Sequence, residues 1–154
     1  MKHFKITLFL VLFAWINTSY AQNNDEEIAV KKTINQLFEG MQKMDSTLMR
    51  GTFNQGAILQ SVAKTKDGRI KVSTENVDAF VKSIAQVRNM LLDERIVFTK
   101  ILIDDNLASV WTDYQFYVNE KFSHCGVNSF QLVKTEAGWK IVCLIDTRRK
   151  ENCN

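Results

Sequence analysis

From Glu94 to Thr147 apolar and polar residues alternate in four successive runs: Glu94 to Ile103, Leu107 to Val118, Ser123 to Lys134 and Trp139 to Thr147. A period of two is that of a strand with one face buried. The runs are joined by Asp104-Asp105-Asn106, Asn119-Glu120-Lys121 and Glu136-Ala137-Gly138. Turns this short make each strand the antiparallel neighbour of the one before it. Such a meander has one apolar face that the rest of the chain must cover.

The preceding residues supply the cover. Asp25 to Met44 reads as an amphipathic helix, with Ile28, Ile34, Leu37, Phe38, Met41 and Met44 at three-to-four spacing and Lys31, Lys32, Asn35, Gln36 and Lys43 facing away. Asp25-Glu26-Glu27 lies at its positive dipole end. Asp45 and Ser46 cap a short helix reaching Phe53, and Ala57 to Lys64 turns at Lys66-Asp67-Gly68 into Ile70 and Val72 as a hairpin. Ser73 and Thr74 are expected to cap a third helix through Val77, Phe80, Val81 and Ile84. The order α-α-β-β-α-β-β-β-β predicts an α+β fold, with N-terminal helices on one face of an antiparallel sheet.

Lys2 and Lys5 precede an apolar run from Ile6 to Ile16, and Ser19-Tyr20-Ala21 puts small residues at the two recognition positions of a signal peptidase. Residues 1–21 are expected to be a signal peptide, cut after Ala21, that exports the protein to the periplasm or beyond. The run is shorter than the roughly 20 apolar residues of a bilayer span, so no membrane span is expected after cleavage. Residues 22–154 are expected to form one domain. Losing Lys2 and Lys5 lowers the formal charge from +3 to +1, which gives no electrostatic basis for nucleic acid. Arg148-Arg149-Lys150 is too short a cluster to change that.

This element order, closed by the Gly138-Trp139-Lys140-Ile141 hairpin, resembles the nuclear transport factor 2-like (NTF2-like) superfamily, and within it the SnoaL-like and putative lumazine-binding branches. The resemblance covers residues 22–154. It implies a cone in which a curved sheet wraps the helices around a cavity. Members include isomerases, dehydratases, polyketide cyclases and proteins that only bind or associate. Family catalysts pair an inward Asp or His with a Tyr, and Asp113, Tyr114, His124 and Asp146 are the counterparts here. No cofactor is implied.

Pairing Lys134 with Trp139 across the last turn gives a provisional register. It sets Phe130 opposite Cys143, Asn128 opposite Ile145, Gly126 opposite Thr147 and His124 opposite Arg149, on the face of Trp139 and Ile141. That face has the larger apolar surface and is expected to be concave. Asp146 and Arg148 fall on the other face, at the strand end. In this register Cys125 lies about 16 Å along the strand from Cys143, at about 3.3 Å per residue, beyond the roughly 7 Å that a disulfide allows. Cys125 is therefore expected to bridge to Cys153 by a return of the tail, leaving Cys143 buried and inert.

His124 is a candidate acid, base or donor, or else a core histidine bonded to a carboxylate. Asp146 and Arg148 either grip a ligand anion or pair internally. Tyr114 and Phe116 share one face of their strand, and Trp111 and Tyr117 the other; one set lines the cavity and the other meets a helix or a second subunit. Asn128, if buried, ties the wall together or addresses a ligand. The expected ligand-binding set is Trp111, Tyr114, Phe116, His124, Asn128, Asp146 and Arg148. A metal site is not expected, because one histidine remains after cleavage and a site needs three or four clustered ligands.

The first functional expectation is an exported domain holding a small organic molecule in the cone. The alternatives are an isomerase or dehydratase using His124 with Asp146 or Asp113 and Tyr114, and a structural association module. A homodimer through the convex face is an expected accompaniment.

Overall fold

The computed structural model describes residues 24–87 and 89–153; the signal segment expected over residues 1–21 lies outside them. Helix α1 runs to residue 43, and its buried seam is Val30, Thr33, Ile34, Leu37, Gly40 and Met41. Ile28, expected inward, is 56 % exposed, because the seam begins at Val30 and leaves it on the outer side. Met44 takes a positive φ of 56° and ends the helix. Asp45 then accepts a hydrogen bond from Leu48 N at 2.9 Å and caps α2 (Ser46–Thr52). A Cβ on Gly40 would lie 2.8 Å from Met49 Cγ, so only glycine lets α1 and α2 approach this closely.

Strands β1 (Phe53–Lys64) and β2 (Ile70–Asn76) form the expected hairpin. Helix α3 (Val77–Ala85) begins later than expected. Pairing with β1 holds the chain extended through Asn76, which lies opposite Ile58. Ser73 and Thr74 are thereby kept in the strand, and Asn76 becomes the cap, accepting from Ala79 N at 2.8 Å. The meander follows as β3 (Leu92–Asp104), β4 (Leu107–Val118), β5 (Lys121–Thr135) and β6 (Gly138–Arg148).

The six strands form one sheet in the order β2-β1-β6-β5-β4-β3. One contact departs from an all-antiparallel sheet: β1 lies parallel to β6. The N-terminal hairpin docks on the edge that the last strand leaves open, and its first strand runs in the same direction. The helices cover the concave face only, as expected of an α+β cone. Phe130, Leu132 and Ile141 are fully buried beneath α1, each contributing about 1.5–3 kcal/mol. Phe38 meets Phe130 edge-on at 6.3 Å. Glu26 fastens the start of α1 to the last hairpin by accepting from Trp139 Nε1 at 2.9 Å and Lys134 Nζ at 2.6 Å. No helix among the described residues is long and apolar enough to cross a membrane.

Candidate functional site

Register decides which side chains meet. The expected pairing holds from Lys134↔Trp139 to Leu132↔Ile141, after which Gln131 pairs with Cys143 and Val142 is left as an extra residue. This bulge reverses the faces of the rest of β6. Leu144, Asp146 and Arg148 turn inward, while Cys143, Ile145 and Thr147 turn outward. Phe130 therefore lies opposite Leu144, and Asn128 opposite Asp146. Cys125 bridges to Arg149, so His124 and Gly126 each lie one position from the predicted partner.

The result is a polar row across the inner face, in which Thr112, Asn128, Asp146, Ser61 and Ser73 are successive cross-strand neighbours. From Asn128 to Ser73 the row faces a cavity of about 540 Å³, and Thr112 is buried beside it. Leu37, Phe38 and Met41 of α1, Phe80 and Ile84 of α3, and Leu59 and Leu144 of the sheet supply its apolar wall.

Asp146 is held from three sides. Ser61 Oγ donates to one carboxylate oxygen; Arg148 Nε at 3.0 Å and Tyr114 Oη at 3.4 Å address the other. The single Tyr114 hydroxyl proton goes chiefly to Thr147 O at 2.8 Å, which makes the longer approach to Asp146 the minor branch of a shared bond. Burial, then the neighbouring Asp146 carboxylate, pushes the Tyr114 phenol well above its ordinary value, so it stays protonated.

Glu94 enters from β3 and accepts from Asn128 Nδ2 at 2.8 Å. Its carboxyl is crowded by protein atoms although the residue keeps some exposure through the cavity. Desolvation, helped by the Asp146 charge and opposed by Asn128 and Arg148, pushes its pKa up to about 7. His124 lies in the same wall, its ring 5.0 Å from Phe116 and edge-on to Tyr114 at 5.7 Å. Its Nδ1 is 3.1 Å from Ser123 Oγ, and burial followed by the Arg148 charge holds its pKa below the ordinary value. It is neutral at neutral pH. Among the described residues no group of His, Cys, Asp and Glu is placed to hold a metal ion.

A family model described as putative lumazine-binding matches residues 25–144, from α1 into β6. The chain belongs to that family. Solved structures share its fold, among them proteins described as NTF2-like. An NTF2-like protein of unknown function from Shewanella baltica OS155 is 22 % identical, with a TM-score of 0.64 over 82 % of this chain and 96 % of that one. A second, from Silicibacter pomeroyi DSS-3, is 12 % identical, with a TM-score of 0.65 over 82 % and 98 %. A domain of unknown function with a cystatin-like fold from Nostoc punctiforme is 14 % identical, with a TM-score of 0.62 over 83 % and 80 %. These identities speak for the fold alone. No curated protein matches the chain.

In this domain Tyr114, Phe116, His124, Asn128, Asp146 and Arg148 all line the cavity. Trp111 does not; it is on the convex face, 48 % exposed, because it alternates with the inward Thr112. Asp113 is likewise on the convex side, in a groove with Arg95, Gln115 and Arg149, and is not beside His124. Asp146, placed outward by the unbulged register, is inward. Cys125 and Cys153 are bridged, with Cα atoms 5.8 Å apart. Cys143 is free but half-buried on the outer face, not in the core.

The sequence reading missed Glu94 and Ser61. Glu94 had a signal: it alternates in phase with Leu92, Ile96 and Phe98, which makes it a carboxylate on an inward face. Ser61 had none, because its place beside Asp146 depends on the parallel docking of β1 on β6.

Proposed function

We propose that this domain is exported and holds a small organic molecule inside the cone. The observation that carries the reading is the composition of the cavity: polar groups from all six strands line an otherwise apolar hollow. Such groups cost stability when desolvated and unpartnered, and apolar cavities with a few convergent polar groups are the usual form of a ligand site. The family description adds a chemical class, a pteridine such as lumazine, whose flat ring and polar edges match an aromatic and polar wall. Export is supported by the Cys125–Cys153 bridge, which suits an oxidising compartment.

A thermal-shift screen of residues 22–154 against pteridines, flavin precursors, steroids and short acids tests the reading. A ligand at a hundredfold its Kd stabilises by about 2.7 kcal/mol. The gain should disappear in His124→Ala and Asn128→Ala; a gain unchanged in both moves the site elsewhere. Mass spectrometry of the exported protein should find Gln22 at its N-terminus.

One observation favours an isomerase or dehydratase as the second reading: Tyr114 touches both Asp146 and the His124 ring. Turnover of a screened ligand, lost in Tyr114→Phe and His124→Ala, would establish it. A homodimer is our reading of the convex face, where Ile58, Val72, Val97, Leu102 and Trp111 from four strands are all exposed. An exposed apolar strip can meet the same strip of a second copy, as a two-fold interface requires. Sedimentation should give a dimer, and Trp111→Glu a monomer.

A further inference from the structure

Glu94, Phe116 and His124 are consecutive cross-strand neighbours on β3, β4 and β5. Adjacent strands are about 4.8 Å apart, so Glu94 and His124 rise from backbones about 10 Å apart with the Phe116 ring between them. All three line the cavity. Asn128 fixes one Glu94 oxygen, and the other has no protein donor among the described residues. Asp146, by contrast, is occupied by Ser61, Tyr114 and Arg148. Glu94 is therefore the half-buried carboxyl of the cavity with an oxygen open to a ligand; Glu75, the third carboxylate in the lining, is exposed on β2. Ser123 holds His124 at Nδ1, which leaves Nε2 as the ring nitrogen without a protein partner among the described residues.

We propose that these three residues form a clamp for a planar heteroaromatic ring: the ring lies on Phe116, an N–H on one edge donates to Glu94, and an acceptor on the opposite edge takes the His124 Nε2 proton. The clamp rests on the reading of the cavity as a small-molecule site and adds the orientation of the ligand and the residue that selects it. Aromatic faces provide stacking area with little directional demand, while a site built to accept a hydrogen bond discriminates strongly against an analogue that lacks the donor. Specificity should therefore lie with Glu94 and affinity with Phe116.

The test is fluorescence titration with two probes, lumazine and 1,3-dimethyllumazine, which share the ring and its carbonyls but differ in the N–H groups. The wild-type domain should bind lumazine at least about tenfold more tightly. Glu94→Leu should reduce that preference to about twofold or less, and His124→Phe should weaken both probes without changing their ratio. Equal wild-type affinity for the two probes overturns the clamp, and this comparison needs no variant to fold. A preference that persists in Glu94→Leu also overturns it, since the methyl groups would then be excluded by shape. Failure of both probes to bind at about 1 mM overturns the clamp too. In each case the wider ligand screen separately decides whether the cavity binds small molecules at all.

Discussion

Tyr114 lies across Gly126, its partner on β5, and its hydroxyl reaches over that glycine to the Thr147 carbonyl on β6 at 2.8 Å. The Thr147 carbonyl points toward Gly126, while the Thr147 hydroxyl accepts from Val127 N at 3.1 Å. A Cβ on Gly126 would lie 1.8 Å from Thr147 O and 2.7 Å from Tyr114 Cε1, contacts that backbone cannot accommodate without moving. Gly126 thus allows one tyrosine to join three strands and to brace Asp146 from the side.

Gly126→Ala should be the most damaging single-methyl change in the site, costing about 3 kcal/mol or more. Tyr114→Phe, which leaves the Thr147 carbonyl without its donor, should cost about 1–3 kcal/mol. Urea midpoints of the two variants test the order; a milder Gly126→Ala would contradict the crossing.

Glu94 gives a signed pH dependence. Its pKa is about 7 when folded against an ordinary 4.5, so the folded state favours the protonated form, and that stability is lost as pH rises from 4.5 through 7. Glu94→Gln stays neutral throughout. Its stability relative to wild type should rise across that window by roughly 3 kcal/mol at most, and change little outside it. His124 is common to both proteins and cancels in the difference. Parallel stability profiles from pH 4 to 8 would refute the buried acid.

The Cys125–Cys153 bridge closes a loop of sequence separation 28, for which chain entropy predicts about 3–4 kcal/mol. Cys153→Ser should lose that amount under non-reducing conditions. Alkylation of the unfolded wild-type protein without reductant should label Cys143 alone. A second labelled cysteine would contradict the pairing.

Thr112 is fully buried, and its hydroxyl has no partner among the described residues. Thr112→Val retains the shape and removes the desolvated hydroxyl, so it should be neutral or stabilising by up to about 1–2 kcal/mol. Destabilisation beyond about 1 kcal/mol would mean that the hydroxyl is bonded in solution.

Period-two alternation made the meander, its turns, the shared face of Tyr114 and Phe116 and the inward phase of Asn128 legible, because those properties depend on neighbours in sequence. The bulge at Val142 was not legible. Nothing in Leu132 to Leu144 marks an extra residue, and one residue is enough to exchange Ile145 for Asp146 in the cavity. Asn76 displaced Ser73 and Thr74 as the helix cap for a similar reason, since all three have capping side chains and only pairing with Ile58 decides among them. Trp111 attracted attention as an aromatic, yet its parity with Asp113 already placed it opposite Tyr114. The cysteine pairing survived the one-residue error because the distance from Cys125 to Cys143 was more than twice what a disulfide allows.

The central claim is that the cavity holds a small molecule, and the most direct measurement is amide chemical-shift mapping with the tightest ligand from the screen. The account predicts saturable shifts at Ser61, Glu94, Phe116, His124, Asn128 and Asp146, with Trp111 and Val97 unmoved. Shifts confined to the convex strands, or none at saturating ligand, would contradict it.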